Sequence, residues 1–254
     1  MITRRRLLAT GAAVTGASVI LPYAAMAQAG TSQSYDAADG PVTISPIAHA
    51  SFVMETPIGT IYNDPVGDAA QYEGHPAPDL ILITHEHGDH YDADTLAALV
   101  GPNTQLVTNP AVFEMLPDGL KARATALANG EETNILGLGI QAIPAYNTTE
   151  DRLQYHPQGR DNGYVLGFDG LRVYIAGDTE DIPEMRALTD IDVAFVPFNL
   201  PYTMTEEQAA SAVAEFQPAF VYPYHYRDSD PEKFAALLGD TDAETEVVMG
   251  PWYG

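Results

Sequence analysis

Leu80-Ile81-Leu82-Ile83 runs directly into Thr84-His85-Glu86-His87-Gly88-Asp89-His90. Four consecutive apolar residues predict a buried strand. The heptapeptide then places the imidazoles of His85, His87 and His90 and the carboxylate of Asp89 in the loop where that strand ends. Imidazole and carboxylate are the donor set of zinc and related divalent ions. A polar loop has no folding reason to concentrate them at this spacing, so the stretch reads as a metal-binding loop. Glu86, between two of the histidines, either supports a ligand from behind or faces solvent.

Outward from this loop, strands alternate with helices. Val42-Thr43-Ile44, Ser51 to Met54 and Thr60 to Tyr62 predict an initial meander. Asp92 caps a helix through Val100, Gln105 to Thr108 is a strand, and Pro110 to Leu116 a short helix. Strands follow at Ile140 to Ile143, Gly163 to Phe168 and Leu171 to Ala176, the last two joined by a tight Asp169-Gly170 turn. Asp192 to Pro197 and Phe220 to Tyr222 are strands, and Glu246 to Met249 is the last one. Thr205-Glu206-Glu207-Gln208 reads as a capping box opening a helix to Phe216, and Asp230 to Leu238 is another helix. This order predicts a layered α/β sandwich over residues 41–254.

The bulk properties bound the function. The chain has 254 residues and no cysteine, so disulfides, thiolate ligands and cysteine nucleophiles are all excluded. A site built only from N and O donors favours a catalytic metal over a structural zinc clip. The formal charge is −24, and lysine occurs only at Lys121 and Lys233. Such a chain repels nucleic acid and anionic membranes; the excess of acid reads as adaptation to a salty medium. A small-molecule substrate is the expected partner.

The first residues read as a leader. Arg4-Arg5-Arg6-Leu7-Leu8 precedes a weakly apolar stretch, Ala9 to Ala25, and Ala25-Met26-Ala27 offers a cleavage site, with Ala27-Gln28-Ala29 as a second. The paired arginines with leucines after them predict a twin-arginine signal over 1–27, with an ordinary secretory signal or an uncleaved anchor as alternatives. Residues 28–40, small and polar, read as a linker. The expected location is periplasmic or secreted, without stable membrane association after cleavage.

Two further strand ends carry candidate ligands: Tyr174-Ile175-Ala176-Gly177-Asp178-Thr179 and Tyr222-Pro223-Tyr224-His225-Tyr226. Ligands at the C-terminal ends of strands are where α/β folds usually place their sites. With these segments the chain resembles the metallo-β-lactamase superfamily over about residues 41–254. The nearer resemblance is to its lactonase-like and phospholipase-D-like metal-dependent hydrolases, in which Ile47-Ala48-His49-Ala50-Ser51-Phe52 and Asn63-Asp64-Pro65 also recur. That resemblance implies an αββα sandwich of two mixed sheets with helices on the outer faces. It implies two divalent ions, zinc foremost with manganese or iron admissible. His85 and His87 would bind the first, Asp89, His90 and His225 the second, and Asp178 would bridge them.

Many relatives have a histidine where this chain has Asn147, so either His156, in the loop that follows, or Asn147 completes the first site. Asp89 and Asp178 are the candidate catalytic residues, Asp89 orienting the hydroxide that attacks an ester, lactone or phosphodiester bond. Tyr202, Tyr226, Arg227 and Arg160 are candidate substrate contacts. His49 either meets the substrate or another carboxylate, or is structural and pairs with Asp64 or backbone; His75 reads as solvated. A mononuclear iron dioxygenase on the same fold is the competing enzyme. A diiron protein is disfavoured because such members carry Glu at the position of His87. A non-catalytic periplasmic metal- or ligand-binding protein is the third reading.

Overall fold

The computed structural model describes residues 32–253, so the leader and its cleavage sites lie outside the described residues. Residues 31–254 cluster as one compact unit. Two seven-stranded sheets, in strand order β1 to β7 and β14 to β8, form it. In the first, β1 (Gln33–Ala37), β2 (Gly40–Ala48), β3 (Ser51–Thr56) and β4 (Gly59–Asn63) pair antiparallel. Then β5 (Leu80–Ile83), β6 (Gln105–Thr108) and β7 (Ala124–Ala126) add in parallel. The second sheet repeats the scheme. Its β8 (Glu132–Ile135), β9 (Leu138–Ala145), β10 (Asp161–Phe168) and β11 (Leu171–Ile175) are antiparallel, and β12 (Val193–Pro197), β13 (Phe220–Tyr224) and β14 (Glu246–Val247) parallel. Short turns give the antiparallel pairs except β9 and β10, which residues 146–160 connect, and longer crossovers give the parallel ones.

Strand alternation divides the side chains between layers. In β5, Leu80 and Leu82 enter the core between the sheets, while Ile81 and Ile83 face the helical layer of the first sheet. That layer is α1 (Ala93–Leu99), capped by Asp92, and α2 (Pro110–Met115), capped by Asn109. A third short helix, α3 (Asp118–Lys121), follows them. The second sheet is covered by α4 (Pro183–Arg186), α5 (Glu206–Phe216) and α6 (Pro231–Gly239). The Thr205–Gln208 capping box opens α5 as expected. The expected αββα sandwich is therefore the observed one. Between the sheets Phe52 and Phe195 stack at 4.1 Å, with Trp252 edge-on to both. Each buried ring contributes about 1.5–3 kcal/mol and such a pair roughly 1 kcal/mol more.

One expectation needs correcting. Residues 33–37, read as linker, are β1, in register from Gln33 opposite Ile44 to Ala37 opposite Gly40. Small polar side chains hid the one that matters: Tyr35 is buried and donates its hydroxyl to that of Tyr222 in the other sheet at 2.8 Å. Among the described residues no helix is long and apolar enough to cross a membrane.

The sheets meet tightly where β5, β10 and β11 end. Asn162 N donates to Thr84 O at 3.1 Å and Tyr164 hydroxyl to Ile83 O at 2.8 Å, both crossing between sheets. Gly177 follows β11 at φ +65, and a Cβ there would lie 2.5 Å from the Asn162 carbonyl oxygen. Gly177→Ala is expected to lower stability by about 3 kcal/mol in urea unfolding, through strain and clash together.

Candidate metal centre

Six segments converge at this edge, one of them the loop between β9 and β10 that carries His156. The loop after β5 carries His85, His87, Asp89 and His90, and its turn is closed by His90 N and Tyr91 N donating to His87 O at 2.9 and 2.8 Å. Asp178 follows β11, and His225 follows β13 with φ +50. His49 sits in the β2–β3 hairpin at φ +53, and Asp64 follows β4 at φ +41. Left-handed backbone at non-glycine residues is uncommon and gathers at functional sites.

The donor atoms form groups that could hold metal: His85, His87 and His156; His49, Asp89, His90 and His225; and His85, His90 and Asp178. In the first, His87 Nδ1 lies 3.1 Å from His85 Nε2 and 3.2 Å from His156 Nε2. Donors on a tetrahedral zinc are about 3.3 Å apart, given bonds of about 2.0–2.1 Å. Asp178 touches both sides: Oδ2 is 3.4 Å from His156 Nε2, 3.9 Å from His85 Nε2 and 3.2 Å from His225 Nε2. Its Oδ1 is 3.3 Å from His90 Nε2. The Nε2 atoms of His90 and His225 and Oδ1 of Asp178 are buried without a hydrogen-bond partner. Three such atoms aimed at one another are what a cation would satisfy.

Hydrogen bonds behind the ring set the tautomers. Asp64, fully buried, accepts from the Thr84 amide at 2.7 Å and the Thr84 hydroxyl at 2.8 Å. His90 Nδ1 lies 2.8 Å from Asp64 Oδ2, so Nδ1 carries a proton there and Nε2 is the nitrogen turned inward. The Thr84 hydroxyl, its own proton given to Asp64, accepts from His85 Nδ1 at 3.0 Å, which frees His85 Nε2. His156 Nδ1 faces two acceptors, Asn147 Oδ1 at 2.7 Å and Tyr202 O at 3.2 Å, so its Nε2 too is the bare nitrogen. Histidine ligands are normally held by such partners.

Burial pushes the His85 imidazole well below its ordinary value, lowers His87 and takes His156 down to about 4, which keeps all three neutral. Burial also opposes charge on His90 and His225, but facing Asp178 outweighs it and raises both, with Asp64 adding to the effect on His90. Asp178 itself is held well below the carboxylate range: burial works against its charge, and His225 and His90 overcome it. Asp89 is lowered likewise, burial being overcome by the nearby His225 imidazole and the hydrogen bond with His49.

The structure thus brings together His85, His87, Asp89, His90, His156, Asp178 and His225. Between His156 and Asn147, it places His156 in the group, while Asn147 spends its amide on His156 and on Tyr202 O at 2.9 Å. The loop carrying them is tied down by Glu180, which accepts from the amides and hydroxyls of Thr148 and Thr149 and pairs with Arg152 at 2.6 Å.

Two expected substrate contacts are otherwise engaged. Arg160 spends its guanidinium on Asp161, on the Tyr155 carbonyl and on Glu86 Oε1 at 2.9 Å, which also shows that Glu86 supports the loop from behind. Tyr226 is half-buried between Phe198 and Tyr253. Tyr202 has an exposed ring beside Tyr155, and Arg227 reaches Asp89 Oδ2 at 3.2 Å. His49 pairs with Asp89 rather than Asp64, and His75 lies 3.3 Å from Glu55 rather than being merely solvated. Sequence reading missed Asp64 as the anchor of the loop, although its place after β4 in Asn63-Asp64-Pro65 was a signal. It missed Tyr253 without any such signal.

A family model described as the Beta-lactamase superfamily domain matches residues 43–225. A UPF0173 metal-dependent hydrolase of Pyrococcus horikoshii is 33% identical over 223 residues, 82% of this chain and 96% of that protein. A crystal structure from Parabacteroides distasonis, assigned as a metal-dependent hydrolase, aligns with a TM-score of 0.80 at 42% identity, covering 87% of this chain and 99% of that one. YhfI of Bacillus subtilis, a metallo-β-lactamase fold protein, aligns at 0.64 with 13% identity over 80% of this chain and 88% of that one, a likeness of fold alone. Fold and relatives together define a metal-dependent hydrolase. The chain belongs to the metallo-β-lactamase superfamily.

Asp64→Asn puts an amide donor against the Thr84 amide and the His90 ring. Zinc affinity, measured by chelator competition, is expected to fall about 10–100-fold while circular dichroism stays that of the folded chain.

Proposed function

We propose that this hydrolase holds two divalent ions and cleaves an ester, lactone or phosphodiester bond of a small molecule, outside the cytoplasm. One ion would lie with His85, His87 and His156, the other with Asp89, His90 and His225, and Asp178 would serve both. The observation that carries this reading is the position of Asp178, whose carboxylate lies within 3.9 Å of imidazole nitrogens from both groups. Zinc fits the nitrogen and oxygen donors best, and manganese or iron are admissible. Bound there, the ions supply Lewis acidity and a water acidified towards neutral pH.

The chain's own residues do the rest. His85 and His156, neutral and held at Nδ1 by Thr84 and by Asn147, turn unprotonated nitrogens inward, so no rearrangement is needed at these two ligands. Asp89, one-third exposed, stands at the mouth and takes a proton at its carboxylate. Arg227, half exposed beside it, is the guanidinium placed to meet an anionic part of a substrate. With Arg160 turned inward and a chain charge of −24, a neutral or singly charged substrate suits the site better than a polyanion. The resemblance to lactonase-like and phospholipase-D-like members supports the choice of bond, and Arg4-Arg5-Arg6-Leu7-Leu8 supports twin-arginine export.

Elemental analysis is expected to give two metal ions per chain, with zinc rather than iron dominant. Metal-replete protein should hydrolyse members of a panel of nitrophenyl esters, lactones and phosphodiesters, and chelator should abolish this reversibly. Asp178→Asn is expected to cut turnover and metal content by orders of magnitude with circular dichroism unchanged; wild-type turnover in that variant sinks the two-ion reading. Replacing Arg4 and Arg5 by lysine should trap the precursor inside the cell. Unchanged appearance in the periplasmic fraction would refute this export route.

A further inference from the structure

His49 is held on every side. Its backbone N–H donates to Trp252 O at 3.1 Å, and its carbonyl accepts from His225 N at 3.1 Å. Its ring lies tilted against that of His225, with centroids 3.8 Å apart. Its Nε2 lies 3.1 Å from Asp89 Oδ2, and its Nδ1 lies 2.7 Å from the hydroxyl of Tyr253. That hydroxyl also accepts from Arg227 N at 2.8 Å, and the Arg227 side chain reaches the same Asp89 oxygen at 3.2 Å. His49 and Arg227 both have left-handed backbone, at φ +53 and +42, a strain that persists only where surrounding contacts over-determine it.

The directions of these bonds follow from donor inventory. An amide N–H can only donate, so the Arg227 N–H occupies a lone pair of the Tyr253 oxygen. The Asp89 carboxylate accepts, so the neutral His49 ring must present Nε2–H to it and leave Nδ1 bare. The Tyr253 proton is then the one that fills Nδ1. The bonds run one way, from the Arg227 backbone through Tyr253 and His49 to Asp89.

We propose that Tyr253 is a positioning residue for the hydrolase: its hydroxyl fixes His49 as the Nε2–H tautomer, and His49 thereby orients the Asp89 carboxylate at the mouth of the site. This rests on the reading of Asp89 as the proton-handling group. Tyr253 itself is 39% exposed, and its loss removes one hydroxyl from the surface rather than a piece of the core. Its ring packs on Tyr226, so phenylalanine preserves the contact.

The test uses the full-length, zinc-loaded protein. Long-range proton–nitrogen correlations on the histidine rings report the His49 tautomer directly, and turnover of 4-nitrophenyl acetate reports Asp89. In the wild type His49 is expected as Nε2–H. In Tyr253→Phe the resonance should shift towards a tautomer mixture. There kcat should fall about tenfold, with KM within about twofold and zinc content unchanged. A glutamine at 49 can donate to Asp89 without Tyr253, so adding Tyr253→Phe to His49→Gln should cost little further. An Nδ1–H tautomer in the wild type, as when Nε2 ligates zinc directly, overturns the proposal. So does full additivity in the double variant, or an unmoved tautomer with unmoved kcat in Tyr253→Phe. The tautomer measurement needs no turnover: absent hydrolysis with the expected tautomer shift would count against the hydrolytic role of Asp89 and not against the Tyr253–His49 bond.

Discussion

A buried carboxylate must be paired, and in this protein everything near the site follows from how Asp178 is paired. Its oxygens face four imidazoles, those of His85, His90, His156 and His225, and these come from both sheets and from the loop between β9 and β10. The carboxylate therefore stays ionised in a place where burial alone would neutralise it. Satisfying it requires β5, β11 and β13 to end together, and glycine at 177 lets those ends close to contact distance.

The second constraint is that His85, His90 and His156 turn Nε2 inward, with Nδ1 held from behind. The first sheet meets it through Asp64 and Thr84, and the second through Asn147 and the Tyr202 carbonyl. These partners lie on different strands and loops, yet do the same work. Glu180 shows how the economy extends: two residues beyond Asp178, it holds the loop that brings His156 back. Strand β11 thus ends by delivering Asp178 and the anchor of the His156 loop in one short run.

Local signals read well. The β5 strand, the capped helices after Asp92, Thr205 and Asp230, and the Asp169-Gly170 turn all appear where short-range patterns put them, because caps, turns and alternation act within a few residues. The short strands β7 and β8, and β1 with its single buried tyrosine, carry too little apolar pattern to be recognised, since their stability comes from the sheet they join. The partners of Arg160 were hidden for a related reason. Nothing in its neighbourhood announces that Glu86, far away in sequence, will claim the guanidinium.

By itself the sequence determined the donor chemistry, the strand-to-loop junctions and the order of the ligand segments. All three are encoded in short runs such as His85 to His90 and Gly177-Asp178, whose meaning needs no distant partner. Only the tertiary structure placed His156 beside His85 and His87, made Asp64 the root of the histidine network, paired Arg160 with Glu86 and laid Tyr253 against His49 across 204 residues of chain. Those are contacts between residues remote in sequence, and sheet register with close packing, not local periodicity, sets which of them meet.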